Sequence, residues 1–386
     1  MRLEVSNSVI DWALEQARKE AVNLKHLELL EKWKLNEKQP TFAQIENISR
    51  AIGIPFGYFF LTNPPAEDNS MMEYRTVDSL AHDSLSRNLL DILHDMKNVQ
   101  EWMNNNLRQQ GINTLGFVGT QRYQDDVGDF AEEVRTLLKI EKGWFQKCKD
   151  AYDAFRYLRG RISDLGVLVM MNGVVGNNTH RQLSIEEFRA FALIDDCAPL
   201  IFINSNDSYN GKLFSLLHEF AHVLIGDNSL YNLRESSGSL VTKVERICNA
   251  VAAEVLVPED IFVRKWKEEE TDDREDIIWR FANFFRCSAT VIARRALDQK
   301  YISKNLYERI VEKAIDAYIE KRNKDKEKEG GGNFYTTKAS KIDQRFFYSL
   351  LQSVQEGRTL YTDAFRLTNT NRNTFDKLAE KVGGTM

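Results

Sequence analysis

A chain of 386 residues exceeds one ordinary core and, at about 150 residues per domain, predicts two to three domains. With 42% apolar and 28% charged residues it is neither disordered nor fibrous. A net charge of −5 argues against nucleic acid as the main partner, while leaving room for a local basic face.

The first sixty residues read as short helices. Ile10, Ala13, Leu14 and Ala17 recur at helical spacing, as do Ile45, Ile48, Ala51 and Ile52. Glu37–Thr41 breaks the pattern and starts a helix, and Phe56, Tyr58, Phe59 and Phe60 are expected to close a small core before Pro64 and Pro65. A long helix is predicted over Ser79–Gln109, striped by Leu89, Ile92, Leu93, Met96, Val99 and Met103. After a loop near Gly111–Gly119, amphipathic helices are expected at Phe130–Ile140 and Tyr152–Leu165.

The period then changes. Gly166–Met171, Arg189–Leu193 and Pro199–Asn204 read as strands, with Asp195 and Asp196 at a turn. Helices follow at about Lys212–Ile225 and Val241–Leu256, separated by an irregular stretch at Gly226–Gly238, and the second is ended by Pro258. Two or three more are expected up to about Lys321, then a charged, glycine-ended linker at Arg322–Gly332. Helices are expected around Phe346–Val354, Ala364–Leu367 and Phe375–Val382. The fold class expected is α+β and mainly helical. The divisions are a helical domain at 1–65, a connector at 66–129, a catalytic domain at 130–321, a linker at 322–333 and a helical domain at 334–386.

The longest apolar run, about Leu165–Val175, is too short for a bilayer, which needs about 20 residues. MRLEVSNSVIDW lacks an uninterrupted apolar core, and Cys148, Cys197, Cys248 and Cys287 form no C-x-x-C. A reduced, cytoplasmic, soluble protein is expected.

The chemistry concentrates in His218-Glu219-Phe220-Ala221-His222, an H-E-x-x-H motif. Residues four apart on a helix share a face, so both imidazoles reach one Zn²⁺ at about 2.0–2.1 Å. Glu219, beside the first histidine, is placed to take a proton from the attacking water rather than bind the metal. The apolar flanks Leu213–Leu217 and Val223–Ile225 predict a buried helix, where two histidines and a glutamate are costly without partners. A third ligand is sought on the next helix, with Glu245, Glu254 and Cys248 as candidates. Glu254 lies about 180° round the helix from Glu245 and Cys248 about 60° off, at 100° per residue. Asn249, one turn after Glu245, is a candidate outer partner on the same face.

The run Phe214–His222, followed by Glu245-Arg-x-Cys-Asn-x-x-Ala-Ala-Glu-x-Leu-x-Pro258, resembles the ImmA/IrrE family of metallopeptidases. So do Leu183–Phe191 and Ala198–Asn204, the resemblance covering about residues 130–300. It implies a zincin-like, gluzincin-type catalytic domain. Zinc would be bound by His218, His222 and Glu245, with Glu219 as catalytic base. Ala221 stands where the family usually has Gly, and Val257 where it usually has Met; both changes leave the chemistry standing. An extended substrate is expected to add to a sheet edge, with Leu200–Asn204 either that edge or an internal strand. Tyr209, Tyr231 and His180 are unranked candidates for the transition-state donor.

Trp12-Ala-x-x-x-Ala-Arg18, Trp33 with Asn36–Thr41, and Ile54–Leu61 resemble an XRE-type helix-turn-helix domain. In such domains about twenty-five residues separate the first helix's Ala-Arg from the tryptophan. Here Ala17 and Trp33 are closer by roughly a helix, which argues for docking or dimerising rather than DNA binding. Gly357–Phe375 also reads as helix, tight turn, helix, with Arg366, Arg372 and Lys377 able to meet phosphates; the alternative is a three-helix cap on the catalytic domain. The family resemblance implies a zinc endopeptidase acting on a regulatory protein such as a helix-turn-helix repressor or antitoxin, in a stress, mobile-element, toxin–antitoxin or phage-defence setting. The alternatives are a DNA-binding regulator and a non-catalytic interaction protein on the same scaffold.

Overall fold

The computed structural model describes residues 3–19, 23–64, 85–112, 114–122, 126–231, 243–327 and 334–383. The chain divides into two compact units, Met1–Glu73 with Leu80–Leu93, and Tyr74–Ser79 with His94–Met386. The fold is α+β and mainly helical, as its periodicities predict.

The first unit holds α1 (Asn7–Lys19), α2 (Leu24–Lys34), α3 (Phe42–Ile52) and a 3₁₀ turn at Phe56–Phe60. Thr41 starts α3 through a capping box with Gln44, and Gly53 ends it in the left-handed conformation at φ 68°. Ile10, Ala13, Leu14 and Ala17 meet Trp33, Ile45, Ile48 and Ile52 in one core. Of the expected aromatic cluster only Phe59 is buried; Phe56 meets Phe42 at a tilt and Phe60 edge-on, with Phe42 and Phe60 exposed.

The division between units falls within α4 (Arg87–Gln109), whose predicted stripe is buried throughout. Ser79–Ser84, expected to begin that helix, lie outside the described residues. In the second unit α5 (Val127–Leu138) and α6 (Ala151–Asp164) lead to a sheet with strand order β1-β5-β4-β6. Its strands are β1 (Leu168–Asn172), β4 (Ala190–Leu193), β5 (Leu200–Asn204) and β6 (Ser229–Tyr231), and β2 (Val174–Val175) pairs separately with β3 (Asn178–Gln182). β1 runs parallel to β5, and the β4 pairings are antiparallel. The β4–β5 turn is tied by Asp195 Oδ1, which accepts the Cys197 and Ala198 N–H groups at 2.8 and 2.7 Å.

One sheet face, with Val169, Ala192 and Ile201, joins the core shared with α7 (Tyr209–Ile225) and α8 (Lys243–Leu256). On the other face Phe191 stacks on Phe202 at 5.0 Å. β5 is therefore buried on both faces and flanked on both sides, and Leu200–Asn204 is no edge. β6 is one edge. At the other, the Val169 N–H donates to Asp343 Oδ2 at 3.2 Å, and Arg159 Nη2 donates to the Val169 carbonyl at 2.8 Å. Side chains thus close that edge of β1 to a further strand.

Four helices follow α8, where two or three were expected: α9 (Glu259–Lys267), α10 (Arg274–Phe285), α11 (Ala289–Asp298) and α12 (Lys304–Glu327). The C-terminal part adds α13 (Phe334–Lys341) to the expected α14 (Gln344–Gln355), α15 (Tyr361–Thr368) and α16 (Arg372–Gly383). No described helix is long and apolar enough to cross a membrane. All four cysteines are free and buried.

Candidate metal centre

α7 is fixed at both ends before its chemistry matters. Ser208 Oγ accepts the Gly211 N–H at 3.0 Å as N-cap. Gly226 closes the helix in the left-handed conformation at φ 83°, its N–H donating to the His222 carbonyl at 2.8 Å. The next carbonyls, which a helix end leaves without partners, receive a strap from upstream: Gly119 N–H donates to Val223 O at 3.2 Å and Gln121 N–H to Leu224 O at 2.9 Å. That approach needs glycine at 226, since a Cβ there would lie 2.9 Å from Gly119 Cα.

Leu213, Leu216, Leu217 and Phe220 anchor α7 in the core, and α8 packs alongside. The histidines at 218 and 222 then face α8, their Nε2 atoms 3.1 Å apart. Glu245, in the first turn of α8, completes the cluster: Oε2 lies 3.2 Å from His218 Nε2 and Oε1 3.2 Å from His222 Nε2. These three are the His/Cys/Asp/Glu group able to hold a metal ion among the described residues. The donors fit a small divalent cation, since tetrahedral ligands at 2.0–2.1 Å stand about 3.3–3.4 Å apart. Both imidazoles are within 1% of complete burial.

The electrostatics agree. Burial holds His218 below the usual imidazole range, favouring the neutral ring that a metal takes. Burial alone would raise the Glu245 carboxyl, but its bonds with His218 and His222 outweigh that and hold it well below the usual carboxylate range. Burial alone would lower His222 as well, but its contacts with Cys248 and Glu245 outweigh that and hold it well above the usual imidazole range, so the Glu245 carboxylate faces one neutral and one protonated ring. Glu219, also on α7, is fully buried.

The other candidates separate. Asn249 hydrogen-bonds His218, the outer contact its i+4 spacing from Glu245 suggests. Cys248 contacts His222 but lies outside the converging group, and burial pushes its thiol up, which opposes the thiolate a metal needs. Glu254 faces away: its carboxylate pairs with Arg295 at 2.8 Å and Arg135 at 3.6 Å. Sequence reading missed those arginines as its partners. Both are largely buried, and their separation from Glu254, 119 and 41 residues, hides the pairing from local pattern. Tyr209 begins α7, two and a half turns before His218, edge-on against Tyr152. His180 is exposed on β3, and Tyr231 ends the edge strand β6.

Residues 162–297 match the peptidase family model described as IrrE N-terminal-like domain, a stretch that contains the whole sheet, α7 and α8. The match supports a metallopeptidase-like function and a zincin-like fold for this part of the chain. Residues 342–381 match the family described as Domain of unknown function (DUF8813). No curated protein and no solved structure matches the chain.

Proposed function

We propose that this chain is a zinc-dependent endopeptidase. The observation that carries the reading is the convergence of His218 and His222 from α7 with Glu245 from α8, at 3.1–3.2 Å between donors, with Glu219 buried on the same helix. Zinc held by these three would supply Lewis acidity, polarising a peptide carbonyl and acidifying a water molecule. Glu219 is the base: its carboxylate takes the proton of the attacking water and passes it to the leaving amine. Asn249 steadies His218, and the apolar flanks of α7 keep bulk water from the proton path.

The substrate segment binds extended. β5 is internal and β1 is closed by Asp343 and Arg159, so the segment pairs with the outer side of β6, whose inner side faces β4. The substrate we propose is a regulatory protein such as a helix-turn-helix repressor or antitoxin, cleaved in the cytoplasm during stress or phage infection. Its support is the resemblance of the motifs around His218 and Glu245 to the ImmA/IrrE peptidases.

The test is Glu219→Gln. Co-expressed with candidate repressors from neighbouring genes, the wild-type chain should generate a fragment. The variant should bind zinc equally while losing activity by about 10²-fold or more. Full activity in the variant would remove Glu219 from the chemistry.

A further inference from the structure

The C-terminal helices contribute no residue to the His218, His222 and Glu245 cluster. α15 is eight residues long, α16 is twelve, and three residues, Asn369, Thr370 and Asn371, join them. Asn369 takes the left-handed conformation at φ 49°, which asparagine adopts more readily than other non-glycine residues and which turns the chain sharply. Counted from Tyr361, the buried residues fall at the fourth, seventh, eighth, fifteenth and eighteenth positions, Ala364, Leu367, Thr368, Phe375 and Leu378, with α14 packed behind. A short helix, a three-residue turn and a longer helix, held by one small core, form the unit that presents its second helix to a DNA major groove.

The surface has the matching chemistry. The start of α16 exposes Asn371, Arg372 and Asn373, the arginine side chain 84% exposed. Amides and guanidinium groups read base edges, and the first residues of a recognition helix make those contacts. On α15, Arg366 is 76% exposed, its guanidinium 3.5 Å from Asp363, and is placed to meet a phosphate. Residues 334–383 carry eight Lys and Arg against five Asp and Glu, within a chain of net charge −5. Asp376, one turn on and 3.9 Å from the Arg372 guanidinium, and Glu380 beyond it confine the contact to the first turn of α16. The tip of the β2–β3 hairpin abuts the turn, Asn177 Nδ2 donating to the Asn369 carbonyl at 2.6 Å. The strand that follows, Asn178–Gln182, is largely exposed.

The geometry points to duplex DNA as the ligand of the α14–α16 unit, with α16 in the major groove and Arg366 and Arg372 on the flanking phosphates or bases. This is independent of the peptidase reading, because it uses none of its residues.

The experiment is fluorescence anisotropy of the full chain with a labelled random-sequence duplex of about 30 base pairs, titrated between about 50 and 200 mM salt. The wild type should bind with log K falling linearly against log salt. Arg366→Glu with Arg372→Glu should weaken binding about tenfold or more and flatten the slope by about two, at unchanged zinc content and melting temperature. Asn373→Ala, which removes no charge, should leave the slope and alter preference among duplexes selected from the pool. Arg50→Glu on α3 of the first unit should change nothing. The proposal fails if the wild type does not bind, if the double variant binds as well as the wild type, or if Arg50→Glu alone abolishes binding.

Discussion

Lys212 shows how much one side chain can cost on the helix that carries the site. Its ammonium group is buried on α7, 4.3 Å over the Tyr209 ring. Burial lowers its pKa to about 8, only partly offset by Asp207, which is itself engaged by Arg189 at 2.6 Å. Between about pH 8 and 10.5 the unfolded chain holds a proton that the folded chain has released, so stability rises with pH across that window. Below it the folded state bears the cost of a buried charge. Lys212→Met should therefore stabilise the fold by about 2–3 kcal/mol at pH 7, and the gain should vanish above about pH 10.5. Urea unfolding at the two pH values checks this; an equal gain at both would show that packing, not charge, is the cause.

Among elements, the two glutamates of α8 divide the work. Glu245 faces α7, whereas Glu254 ties α8 to α5 through Arg135 and to α11 through Arg295, all three at or under 15% side-chain exposure. Glu254→Ala leaves two guanidinium groups short of their counter-charge and should cost about 3–5 kcal/mol in denaturant unfolding. It should keep its zinc, and a zinc-free but equally stable variant would reverse the two roles. The sequence made this division legible in part. The 3.6-residue period puts His218 and His222 on one face, and the half-turn between Glu245 and Glu254 says that only one can face the metal. It does not say which; the family motif did, and the arginines from α5 and α11 supply the physical reason. β1, β4 and β5 were legible as apolar runs, but strand order is not written in such runs, so the internal place of β5 was not. β3, Asn-Thr-His-Arg-Gln, shows no apolar alternation because both of its faces are largely exposed, and β6 is only three residues long. Both escaped notice.

For the second unit as a whole, the C-terminal helices are part of how the peptidase sheet is finished. Asp343 N-caps α14 by accepting the Phe346 N–H at 3.1 Å, and also accepts the Ser163 hydroxyl at 2.7 Å and the Val169 N–H of β1. One carboxylate thus joins α14, α6 and the sheet edge, and residues 180 apart in sequence become neighbours, a contact no local reading provides. Asp343→Ala leaves the buried Val169 N–H unpaired and removes a cap, so it should lower stability by about 2–4 kcal/mol and speed proteolysis after α12. Unchanged stability would mean that the helices merely rest on the sheet.

The central claim is that His218, His222 and Glu245 together hold one zinc ion. Elemental analysis of the purified chain beside Glu245→Ala measures this directly. The account predicts about one zinc per wild-type chain and almost none in a variant that still folds. A wild type that takes up no zinc, or a variant that keeps its full complement, would contradict it.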